Sequence, residues 1–141
     1  MGEYLCAVAG SGPLARRVYI SRMQDHRSLI AWQRAREVVL DLCRRRESLW
    51  RRETSAMVEQ LQRSALSAQL NLAEGYAWRP GRRWQCHLTI AYGSAVETTD
   101  LLDLLLDLSD PGDRLLELRA KSIEVQAMTL ALLRKARNSN K

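Results

Sequence analysis

Phenylalanine is missing from this chain of 141 residues, and tryptophan and tyrosine bring the aromatic share to only 6 %. A core must therefore be assembled from Leu, Ala, Val and Ile. That mixture favours helices, since aromatic and β-branched side chains suit strands while Leu and Ala are strong helix formers. Lysine is nearly missing too, confined to Lys121, Lys135 and Lys141, so almost all positive charge is arginine. Cysteine occurs three times, at Cys6, Cys43 and Cys86, an odd number at wide spacing with no Cys-x-x-Cys pair. Neither His26 nor His87 stands at a ligand spacing from a cysteine, so the common metal patterns are excluded and no cofactor is implied. No run of eighteen apolar residues exists, which excludes a transmembrane helix. The first twenty residues lack the basic start and apolar stretch of a signal peptide, and Arg16–Arg17 has no apolar segment of suitable length behind it. The expectation is a cytoplasmic protein with free thiols and no membrane partner.

Apolar residues make up 46 % and charged residues 27 %, ordinary for one globular domain of this size. The net charge is +6 and unevenly placed. Residues 28–92 carry eleven arginines against six acids, whereas residues 93–124 carry three bases against eight acids. Such a chain is polarised between a basic and an acidic surface. Arginine's planar fork suits phosphates. GC-rich coding alone produces the same enrichment, so composition leaves both explanations open.

Residues 1–27 show no sustained periodicity and are broken by Gly10, Gly12 and Pro13, which predicts a flexible N-terminal arm. Met23 offers an alternative start. A bundle spans 28–137, followed by a polar tail at 138–141. Helix one is expected from Ser28, as N-cap, to Arg46, burying Ala31, Ala35, Val38 and Leu42. Helix two spans Thr54 to Glu74 with Val58 or Met57, Leu61, Ala65, Ala68 and Leu72 inward, and Gly75 at a left-handed C-cap. Helix three runs from Arg82 or Arg83 to Leu108. Asp113 is placed to cap helix four, which carries Leu116, Ala120, Ile123, Ala127 and Leu130 at helical spacing. Four amphipathic helices on short links predict an all-α, antiparallel up-down four-helix bundle. On helix three, leucines at 101, 102, 104, 105, 106 and 108 cover more circumference than one buried face needs. Self-association would cover the surplus.

Two stretches stand out. One is Arg63-Ser-Ala-Leu-Ser-Ala-Gln-Leu-Asn71-Leu-Ala-Glu74-Gly75, the other Trp84-Gln-Cys-His-Leu-Thr-Ile-Ala-Tyr-Gly93-Ser94-Ala-Val-Glu97. Gly93 inside a helix costs roughly 1 kcal/mol against Ala, which close helix approach would explain. Arg63, Asn71, Glu74, Ser94 and Glu97 are expected to form a partly buried polar cluster that sets the register of helices two and three. A catalytic carboxylate pair is the weaker alternative, because no nucleophile, base or metal set accompanies it. His87 reads as a core or interface residue by the same reasoning.

These stretches, with Leu29-Ile-Ala-Trp32-Gln-Arg-Ala35, resemble the four-helix-bundle family of proteins encoded in bacterial 23S rRNA intervening sequences (S23-type) and the accessory variability proteins of diversity-generating retroelements. The resemblance covers about residues 28–135. Tyr92 stands where the family is often basic, and Pro80-Gly81-Arg82-Arg83 replaces its Ser- and Lys-rich link. The resemblance implies a non-enzymatic protein that assembles as a ring, commonly a homopentamer. In the retroelement branch it also implies binding to nucleic acid and to a reverse transcriptase. It assigns neither branch.

The resulting expectation is nucleic-acid binding or scaffolding, with RNA or DNA phosphates held by arginine clusters without sequence readout. The candidates are Arg44, Arg45, Arg46, Arg51 and Arg52 around the first link, and Arg79, Arg82 and Arg83 around the second, at opposite ends of the bundle. Trp50 and Trp78 lie among them as packing residues or as stacking faces. The alternative is a structural protein-interaction module that binds no nucleic acid.

Overall fold

The computed structural model describes residues 25–108 and 113–139. A single 3-10 turn, His26–Ser28, precedes four helices: α1 (Ile30–Leu49), α2 (Ser55–Tyr76), α3 (Arg82–Leu108) and α4 (Asp113–Asn138). No strand occurs among the described residues. The sequence expectation for residues 1–24 lies outside them, as does Cys6.

The inward faces of α1 and α2 are those the periodicity marks. Ala31, Ala35, Val38 and Leu42 are buried on α1, and Val58, Leu61, Ala65, Ala68 and Leu72 on α2. From α3 come Trp84, Leu88, Ala91, Ala95, Leu102 and Leu105. Six leucines, at 42, 61, 72, 88, 102 and 118, are among the largest side chains completely withdrawn from solvent. Each contributes about 1.5–3 kcal/mol relative to an exposed position. Many of the remaining core side chains are alanines, which let the backbones approach closely.

Three details depart from the sequence reading. Ser28 does not cap α1: the N-cap is Leu29, which makes no side-chain bond. Asp25 instead caps the preceding turn, accepting from the Arg27 amide at 2.9 Å, and the Ser28 hydroxyl meets the Tyr76 hydroxyl at 3.3 Å.

Gly75 is not a left-handed cap either. It lies buried inside α2, and among the described residues only Gly81 has a positive φ, +153°. An added Cβ on Gly75 would stand 2.6 Å from His87 Cβ and 2.7 Å from the Trp84 ring. Gly75 is therefore the close-approach glycine of α2 and α3. Gly93, expected in that role, is exposed, with nothing within 4 Å of an added Cβ.

The third departure is the face of α4. The stripe that helical spacing marks, Leu116, Ala120, Ile123, Ala127 and Leu130, is not the buried one: Leu116 and Ile123 are 48 % and 40 % exposed, and Ala120 and Ala127 are exposed as well. The buried set is Leu115, Leu118, Ser122, Val125, Thr129 and Leu133. Helix four is apolar on two sides, and periodicity favours the side without polar atoms. The observed side tolerates its two hydroxyls because both are bonded: Ser122 to Thr99 at 2.9 Å, and Thr129 to the Val125 carbonyl at 2.7 Å.

Polar contacts tie the helices pairwise. Along α2 and α3, Gln60 donates to Glu97 (2.6 Å), the Ser64 and Thr98 hydroxyls meet at 2.9 Å, Ser67 meets Ser94 at 2.8 Å, and Asn71 meets His87 at 3.0 Å. Between α1 and α4, Arg34 pairs with Glu124 (2.7 Å) and Lys121 with Asp41 (2.9 Å). Between α3 and α4, Arg119 pairs with Asp103, and Gln85 donates to the Ala136 carbonyl at 2.8 Å. The hydrogen bond to Asp41 holds the Lys121 ammonium above the ordinary lysine range, against the opposing effect of desolvation. Arg119 and Arg34 are likewise raised, by their bonds to Asp103 and Glu37.

Candidate nucleic-acid interface

The first basic cluster is built by the end of α1 and its link to α2. Trp50 closes α1, its amide donating to the Arg46 carbonyl at 2.8 Å. Thr54 then staples the link: its hydroxyl accepts from the Arg51 amide (3.2 Å) and donates to the Leu49 carbonyl (3.1 Å). Arg44, Arg46, Arg51 and Arg52 are exposed and Arg45 is half-buried. Arg44 lies 3.8 Å from Asp41, too long and too exposed a pair to hold it firmly. Trp50 is half exposed. Leu105 and Leu108 of α3 share a groove with Ser48, Leu49, Arg51 and Thr54, so the acidic end of α3 lies beside these arginines.

The second cluster begins where Gly75 lets α2 and α3 close together. Tyr76 and Trp84 pack edge to face behind it, ring centres 6.2 Å apart. The Arg79 guanidinium lies over the Tyr76 ring at 3.2 Å, and its Nε donates to the Tyr76 carbonyl at 3.3 Å. Gly81 takes the positive φ that side chains disfavour and turns the chain into α3. Arg83 then stacks on Trp78 at 4.4 Å, while Trp78 stays 50 % exposed. Arg79, Pro80, Gly81, Trp84, Leu132, Lys135, Ala136 and Ser139 line an open cleft of about 290 Å³.

The residues expected to form a polar cluster divide. Asn71, Ser94 and Glu97 sit on the α2–α3 contacts described above, and Glu74 reaches His87 at 3.9 Å. Arg63 does not join them: it is exposed and faces Glu59, one turn back on its own helix, at 3.8 Å. The reason is rotational, because Arg63 projects outside the seam that Ser64, Ser67 and Asn71 line. Ser64, Ser67, Thr98 and His87 complete the seam. Their signal in the sequence is a polar residue at every third or fourth position beside the apolar stripe.

A protein-family model described as 23S rRNA-intervening sequence protein matches residues 27–131. The chain belongs to that family. Neither the curated proteins nor the solved structures supply a match. The family match takes in the α2–α3 seam, Gly75 and both arginine-bearing links. The last turns of α4, with Arg134, Lys135 and Arg137, fall beyond it. Among the described residues, no group of three His, Cys, Asp or Glu side chains is placed to hold a metal ion, and no helix is long and apolar enough to cross a membrane. Cys43 and Cys86 are free and exposed.

Proposed function

We propose that this chain is a non-enzymatic nucleic-acid-binding or scaffold protein. In this reading it is an antiparallel up-down four-helix bundle that assembles into a ring, a homopentamer by family resemblance, and holds RNA or DNA by phosphate charge without reading sequence. The observation that carries the binding is the state of the arginines. Arg82 and Arg83 are exposed and take part in no ion pair among the described residues, so their guanidinium groups are open to a partner. A polyanion displaces counterions when it meets such clusters, and that release drives association without base contacts. The family's title names a ribosomal RNA, which makes RNA the first probe.

Opposed partner order supports the antiparallel topology: Gln60, Ser67 and Asn71 meet Glu97, Ser94 and His87, and Arg34 and Asp41 meet Glu124 and Lys121. The outer α4 stripe supports assembly, since Leu116, Ala120, Ile123 and Ala127 repeat at the three-four spacing of helix-to-helix seams and are exposed. Leu104 and Leu108 on α3 and Leu66 and Leu70 on α2 add exposed apolar surface.

The test pairs light scattering with a filter-binding titration of labelled RNA at two salt concentrations. A monodisperse monomer near 16 kDa refutes the assembly. Failure of the wild type to bind RNA or DNA at low salt refutes the binding. In that event the charge serves a protein partner, a reverse transcriptase in the retroelement branch.

A further inference from the structure

The two basic ends differ in what surrounds them. Residues 44–53 carry five arginines and two glutamates, and the neighbouring end of α3, residues 100–108, carries Asp100, Asp103 and Asp107 with no base. Asp103 is held by Arg119, so Asp100 and Asp107 offset two of the three net positive charges of that link. At the other end, residues 78–83 carry three arginines and no acid. There the bond from Gln85 to the Ala136 carbonyl pins the last turns of α4 against the first turn of α3. That contact adds Arg134, Lys135 and Arg137, again without an acid in residues 134–138. The nearest acid on α2, Glu74, faces His87.

This end also carries apolar surface of a particular kind. Trp78 is half exposed with Arg83 over one face of its ring, and the cleft that begins at Arg79 is lined by the apolar side chains of Pro80, Trp84, Leu132 and Ala136 together with the cations Arg79 and Lys135. A duplex would satisfy the charge but leave this surface unused, because its bases are closed in the stack. An unpaired strand uses both: phosphates on the arginines, bases against the ring and the cleft.

Resting on the nucleic-acid reading above, we infer that the binding site is the composite end formed by Arg79, Arg82 and Arg83 with Arg134, Lys135 and Arg137, and that its ligand is single-stranded nucleic acid, with an unpaired base stacked on Trp78. The α4 cations come from more than 50 residues further along the chain and are drawn to the link by the bond from Gln85 to the Ala136 carbonyl.

The experiment is fluorescence anisotropy of the full chain with a labelled 15-nucleotide oligouridylate and with a 15-base-pair RNA duplex. Arg82→Glu/Arg83→Glu and Arg134→Glu/Lys135→Glu should each weaken single-strand binding at least tenfold. Trp78→Ala should weaken it on the order of tenfold, with duplex binding unchanged. The charge-matched control, Arg51→Glu/Arg52→Glu, should change single-strand affinity less than threefold. Circular dichroism verifies that every variant is folded, and the exposed charge variants do not depend on the tolerance of Trp78 to truncation. The inference is overturned if the control abolishes binding while the other charge variants do not, or if Trp78→Ala affects strand and duplex equally. If wild type binds neither probe at low salt, the nucleic-acid reading itself falls.

Discussion

Replacing Gly75 with alanine places one methyl group where α2 and α3 are closest. In an unobstructed helix the change would stabilise the chain by about 1 kcal/mol, because alanine has the better helix propensity. Here the new Cβ would lie 2.6 Å from His87 Cβ and 2.7 Å from the Trp84 ring. His87 Cβ is fixed to the α3 backbone and cannot rotate away, so the helices must separate. Overpacking of this kind costs about 1–3 kcal/mol, and a backbone-bound obstacle puts it at the upper end. The net is a loss of about 2 kcal/mol. Gly93→Ala is the matched control: it is helical and exposed with no atom within 4 Å of the new Cβ, so it should gain about 1 kcal/mol. At about 4 °C per kcal/mol for a domain of this size, the two variants should melt about 12 °C apart, on opposite sides of wild type. Thermal and urea unfolding followed by circular dichroism, at one fixed protein concentration because association shifts the midpoint, measures this. A Gly75→Ala variant as stable as wild type would refute the close-approach argument. A Gly93→Ala variant that loses stability and mass together would put Gly93 in a contact between copies.

Further outcomes follow from other contacts. Lys121→Met should leave Asp41, only 17 % exposed, with no cation but the loosely held Arg44 and destabilise the chain by about 1–3 kcal/mol, whereas Arg63→Met, which removes an exposed pair, should cost under about 1 kcal/mol; urea midpoints of the two variants compare them. Because the folded-state pKa of Lys121 is raised, its contribution is complete at neutral pH and is lost as pH rises past the ordinary lysine range through the folded value. Wild-type stability should therefore fall at strongly alkaline pH with a component missing from Lys121→Met. Leu116→Glu/Ile123→Glu should reduce the particle mass in light scattering while leaving helicity intact, since neither side chain belongs to the buried core. An unchanged mass would exclude the outer α4 stripe from the assembly.

Helix positions and the inner faces of α1 and α2 were legible because each has one apolar stripe beside a polar remainder. The face of α4 was not. Its outer stripe is the cleaner pattern, while its inner one includes Ser122 and Thr129, whose cost disappears only once Thr99 and the Val125 carbonyl are seen to bond them. A sequence cannot tell an apolar face turned to the core from one left for another molecule. The glycines failed for a related reason: Gly75 and Gly93 both interrupt helical patterns, and which one meets a neighbouring helix depends on rotation about the axis, which neither propensity nor spacing supplies. At the candidate interface the individual arginines were readable, and up-down order puts the α4 terminus at the same end as the Arg79–Arg83 link, but the contact from Gln85 to the Ala136 carbonyl that draws the two together was not readable, because it depends on how the helices are rotated.

The central claim is that exposed arginines bind a phosphate backbone without reading its sequence. The affinity of wild type for two RNA strands of equal length and unrelated sequence, measured from 50 to 200 mM salt, tests it most directly. The account predicts equal affinities that fall linearly on a log–log plot, with a slope of about 0.7 for each phosphate engaged on a single strand. A strong preference for one sequence, a flat salt dependence or no binding at the lowest salt would contradict it.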